Sequence, residues 1–109
     1  MEQAFRPPFP DDWTAALDRA AARGDVVAHA VMGNPYGRRD DPMTHDWLRR
    51  TREVLARWPA RWLTDHVGCS RADGWNAAPL PLPVSPALRD RVTDHLRWVQ
   101  DGLGLPVGL

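Results

Sequence analysis

"ARWLTDHV", residues 60–67, can be read two ways, and the fold turns on the choice. As a strand over 61–67 it sets Leu63 and Val67 against Trp62, Thr64 and His66. As a short helix it gathers Trp62, Leu63, His66 and Val67 on one face, with Gly68 as terminator. So short a segment cannot be settled by periodicity. Pairing helps, because a lone strand leaves its backbone N–H and C=O groups without partners. The only other short apolar segment is "DVVAHAVM", residues 25–32, bounded by Gly24 and Gly33. The two are therefore both strands or both helices. The valines of the first favour strands.

Three helices surround these segments. The stretch 11–23 carries Trp13, Ala16, Leu17, Ala20 and Ala21 as one stripe, with Asp11 or Asp12 to cap it and Gly24 at the C′ position. The stretch 44–57 repeats Trp47, Thr51, Val54, Leu55 and Trp58 at helical spacing, with Thr44 as cap and Pro59 as stop. The third, 85–101, opens on Ser85-Pro86, carries Leu88, Val92, Leu96, Val99 and Leu103, and ends at Gly102. Residues 1–10 read as an extended arm because Pro7, Pro8 and Pro10 exclude a helix, and 68–84 as a proline-rich loop.

The expected fold is thus α+β: one small domain over 1–109, three main helices, and a parallel strand pair at 25–32 and 61–67 joined through helix 44–57 by a right-handed crossover. Helices 11–23 and 85–101 would cover the sheet. Another segment or a second subunit, as in a homodimer, would complete it, since two strands are marginal alone. The alternative is an all-α bundle of five helices.

Composition narrows the classes of function. The formal charge is zero, so the whole molecule exerts no pull on nucleic acid or anionic membrane. All 14 basic residues are arginine, and isoleucine is also missing, which points to a GC-rich bacterial genome rather than to chemistry needing arginine. No apolar run approaches a membrane span, and no signal segment is visible. One cysteine forms no internal disulfide, so a reducing cytoplasm is expected. Six tryptophans make cores with a wet edge, interfaces or pockets.

Parallel strands send their following loops to one edge, where open α/β sheets bind ligands. The first loop offers Asn34, Tyr36, Arg38, Arg39 and His45, and the second Arg71, Trp75 and Asn76. With the N–H groups opening helix 44–57, these would hold a small anionic ligand or a protein partner. For catalysis, "DHVGCSRAD" supplies His66, Cys69 and Asp73 beside Asp65. A cysteine nucleophile needs a base or a positive field to form thiolate. No four-ligand metal site is legible. The nearest set is His29, His66 and Cys69, since His29 and His66 would be neighbours on adjacent strands. His29 is otherwise expected to bond a backbone carbonyl at the core edge. No phosphate-binding glycine loop or other cofactor motif occurs. Three functions follow: a binding or accessory protein using the Trp- and Arg-bearing edge; a small Cys/His- or metal-dependent enzyme around His66 and Cys69; or a nucleic-acid binder using the arginine-rich helix 44–61. The neutral charge disfavours the last.

Overall fold

Both short segments are strands, and they run the same way. In the computed structural model, which describes residues 9–72, 75–81 and 84–109 (backbone only at 72 and 75–79), β1 (Ala28–His29) pairs parallel with β2 (Leu63–Thr64). Each is shorter than the apolar run containing it. Hydrogen bonds from Arg61 to Val26, Ala28 to Trp62 and Ala30 to Thr64 nevertheless extend the backbone contact at both ends. A third strand, β5 (Val107–Gly108), pairs parallel with β2, so another segment of the chain does extend the sheet. The five-helix alternative is overturned by these ladders.

The helices are α1 (Asp11–Ala22), α2 (Pro42–Arg57) and α3 (Pro86–Leu103). α2 begins earlier than expected. Asp41 caps it by accepting from the Met43 N–H at 3.0 Å, and Pro42 fills the first helical position, where its missing N–H costs nothing. Thr44 is instead buried one turn inside and donates to the Asp41 carboxylate. α3 does open on the Ser85 cap, which accepts from Leu88 N–H. It runs past Gly102 to Gly104, whose φ of +70° supplies the left-handed turn that stops it. Gly102 instead lies against Leu48, where a Cβ would come within 2.9 Å of a methyl. α1 is capped by neither Asp11 nor Asp12. Its first N–H groups bond the Pro10 carbonyl, and both acids sit in the first turn, where they complement the helix dipole.

Sequential strands lie side by side, in the order β1-β2-β5, with α2 and α3 as the intervening crossovers. The core fills the space between helices and sheet: Ala28, Ala30 and Leu63 from the strands, Trp47, Leu48 and Leu55 from α2, and Val99 from α3. α2 and α3 thus cover the sheet, not 11–23 with 85–101. The alanine-rich α1 buries none of its residues. It is held at the side by the Trp58 indole N–H on Asp18 (2.6 Å) and by Phe9 packed against Trp13 and Trp58.

The proline-rich stretch 68–84 carries more structure than a loop. Strands β3 (Cys69–Ala72) and β4 (Trp75–Leu80) form an antiparallel hairpin with Ala72 opposite Trp75. An Asp-Gly pair between two short runs is a hairpin signal in sequence, and here the prolines that follow obscure it. The expected arm falls mostly outside the described residues. Among these, no helix is long and apolar enough to cross a membrane.

Candidate functional site

Strand alternation sorts the sheet's side chains onto two faces. Ala28, Ala30 and Leu63 enter the core. His29, Thr64 and His66 emerge on the opposite face, toward the carboxyl ends of β1 and β2. His29 and Thr64 are direct register partners, and His66 follows Thr64 by one pleat repeat. The consequence is a close trio. His29 Nδ1 lies 2.8 Å from the Thr64 hydroxyl, and its Nε2 lies 3.0 Å from Nε2 of His66. The two imidazoles are 4.9 Å apart, tilted by 56°, and both exposed. His29 therefore bonds a hydroxyl and a second imidazole rather than the backbone carbonyl expected of it.

Asp65, between Thr64 and His66, turns the other way and is only 7% exposed. Its carboxylate accepts the His66 N–H at 2.7 Å and fills a notch over Gly33. A Cβ on Gly33 would fall 2.0 Å from that carboxylate and 3.0 Å from the Trp47 ring. Cys69 is half-buried, its thiol donating to the Arg71 carbonyl at 3.2 Å within the hairpin. Asp73 lies outside the described residues. Among those described, no group of three or more His, Cys, Asp or Glu could hold a metal.

The edge residues separate into internal struts and solvent groups. Asn34 is buried in the left-handed conformation (φ 57°). Its side-chain oxygen accepts from Ser70 and Arg71 N–H, and its amide donates to the Arg71 carbonyl. Arg71 is also buried: its guanidinium pairs with Asp41 at 3.3 Å, donates to Thr44 Oγ1 at 2.8 Å and reaches the Met32 carbonyl. Both residues are thus occupied in clamping the hairpin to the β1–α2 loop. Arg38 and Arg39 are exposed, and Arg38 bonds Asp40, holding that carboxyl below its usual range. Tyr36 is half-buried in the same loop, and His45 meets Trp98 edge-on at 5.2 Å. Trp75 and Asn76 stand on β4, their side chains outside the description. The N–H groups of Thr44 and His45, expected to help hold an anion, already bond the Asp41 carbonyl.

The arginine-rich helix is likewise largely self-neutralised. Arg49 pairs with Asp46 and Glu53, Arg50 with Asp46, Arg57 with Asp18 and Arg61 with Asp25, while Arg52 donates to the Gly102 carbonyl.

His95, on α3, is 4% exposed and its Nδ1 has no hydrogen-bond partner among the described residues. Burial pushes its pKa down to about 4, with the Arg39 and Arg71 charges adding to the fall and the Gly33 carbonyl opposing it. Unfolding restores a value near 6.5. As pH drops through 6.5 only the unfolded chain gains this proton, so stability declines until the folded imidazole also titrates near 4. The full effect is about 3 kcal/mol. Urea midpoints at pH 7 and pH 4.5 should diverge in the wild type and converge in His95→Leu.

The sequence profile of the RiPP precursor modification enzymes MbnB/TglH/ChrH matches residues 9–109, a span that includes His29, Thr64 and His66. The chain belongs to the MbnB/TglH/ChrH family. It is also 24% identical over 107 residues to a UPF0276 protein of Haemophilus influenzae, covering 92% of this chain and 34% of that protein. It therefore spans about a third of the length of this curated relative. No solved structure matches the chain significantly. For this MbnB/TglH/ChrH member, reading the sequence paired the two histidines but missed Thr64 between them. The T-x-H spacing on one strand, opposite a histidine on the next, was the available clue.

Proposed function

We propose that this chain forms part of a RiPP precursor modification enzyme and contributes His29 and His66 as imidazole ligands to a transition-metal site. The observation that carries the reading is the Nε2–Nε2 separation of 3.0 Å across adjacent parallel strands, at the end of the sheet where such folds place ligands. Two nitrogens bound to one ion at roughly 2.0–2.1 Å lie roughly 2.9 Å apart when they subtend a right angle, and roughly 3.3 Å at a tetrahedral angle. The pair fits that range. Imidazole suits zinc, copper, iron and nickel. A bound ion of this kind would supply Lewis-acid or redox chemistry to a peptide side chain.

Two imidazoles do not complete such a site. The remaining positions go to water, to substrate, or to groups beyond the described residues, in keeping with a chain that spans about a third of its relative's length. Cys69 and Asp65 are not assigned as ligands, because each already bonds the backbone beside it. Sequence neutrality and the paired arginines of α2 favour a peptide over a nucleic acid as the macromolecular substrate.

The test has two readouts on the purified protein. Titration of the metal-stripped protein with Fe(II), Zn(II) or Co(II) should show stoichiometric binding. Co-expression with a candidate precursor peptide should change the peptide's mass. Protein that retains none of these ions overturns the metal reading. A peptide modified equally by wild type and a His29→Ala/His66→Ala double variant separates activity from this pair.

A further inference from the structure

Resting on the metal reading for its consequence, though not for its chemistry, we propose that Thr64 is a positioning residue that sets the tautomer of His29 and so presents the Nε2 lone pair toward His66. Among the described residues the Thr64 hydroxyl has two polar neighbours and one proton to give. Its oxygen lies 2.8 Å from His29 Nδ1 and 3.5 Å from the Ala28 carbonyl, which only accepts. When the hydroxyl proton points to that carbonyl, the oxygen must accept from His29. His29 then carries its proton on Nδ1 and leaves Nε2 bare. The nitrogen that a histidine offers to a metal is governed by the bond its other nitrogen makes.

The third member of the trio obeys the same polarity. With Nε2 of His29 as acceptor, the 3.0 Å contact requires His66 to donate from its own Nε2. The protons then run in one direction, from His66 to His29 to Thr64 to the Ala28 carbonyl, and bonds in such a chain polarise one another. The two imidazoles become unequal. His29 is a ready ligand, whereas His66 must release its Nε2 proton before that nitrogen can bind an ion.

The backbone makes this arrangement hard to lose. Thr64 is paired in register with His29, and its β-branched side chain has restricted χ1 freedom. The hydroxyl is therefore held beside one particular ring nitrogen.

Nitrogen-15 NMR of the metal-free protein at pH 8, where an ordinary histidine is neutral, reads the tautomer directly. The expected result is Nδ1–H on His29 in wild type and in Thr64→Ser, and relaxation toward Nε2–H in Thr64→Val. Zinc affinity should fall about 10- to 100-fold in Thr64→Val and recover in Thr64→Ser. Nε2–H on wild-type His29, or a tautomer unchanged in Thr64→Val, overturns the proposal. Wild type that binds no zinc yet shows Nδ1–H, lost in Thr64→Val, supports the positioning role and overturns the metal reading alone.

Discussion

Replacing Arg71 with methionine should lower the free energy of unfolding by about 3 to 5 kcal/mol, the usual cost of removing one partner from a buried ion pair. The side chain is 7% exposed and its Asp41 partner 25%, so solvent screens the pair little. The substitution also takes a donor from the buried Thr44 Oγ1 and from the Met32 carbonyl. Arg71→Lys should recover little, because a single ammonium cannot reach three acceptors laid out for a planar fork. Since a domain of this size is stable by only about 5 to 15 kcal/mol, Arg71→Met should show a markedly lower urea midpoint. A loss below about 1 kcal/mol would mean that the guanidinium is not a clamp.

His66→Ala and His29→Ala should each weaken transition-metal binding by more than about a hundredfold. Removing an outer partner of a metal ligand already costs about 10- to 100-fold, and these variants remove the proposed ligand itself. Folding should be nearly untouched, because both rings are exposed and such surface changes shift stability by only about 0.5 kcal/mol. Calorimetric titration with Zn(II), paired with thermal melts, separates the two effects. Equal zinc affinity in wild type and either variant would detach the imidazoles from any metal.

Much of the fold could be read in advance because its determinants are local. Valines between two glycines gave β1, Ser85-Pro86 gave the start of α3, and the requirement for a strand partner tied β1 to β2. What stayed hidden depended on competition between neighbours. Thr44 is a good cap in isolation, but Asp41 before Pro42 is better placed, and the helix begins there. Gly102 is a good terminator by type, yet the left-handed turn falls at Gly104. β5 is too short and glycine-rich to announce itself, and only β2 beside it reveals it as a strand.

The site was legible to a similar depth. Parallel pairing was enough to bring His29 and His66 together. The occupation of Asn34 and Arg71 depended on a hairpin that the prolines concealed, so two groups read as ligand contacts are internal struts. Gly33 belongs to the same class: only the Asp65 carboxylate packed over it shows why that position carries no side chain.

The two-residue interval from Thr64 to His66 also limits how this protein can vary in length. Insertion or deletion of one residue within β2 would rotate every later side chain through the plane of the sheet. It would send the Thr64 hydroxyl and the His66 imidazole toward the apolar layer beneath and turn the Asp65 carboxylate out into water. Extra residues can be tolerated in the connections at either end, but between those two positions the count has to stay fixed.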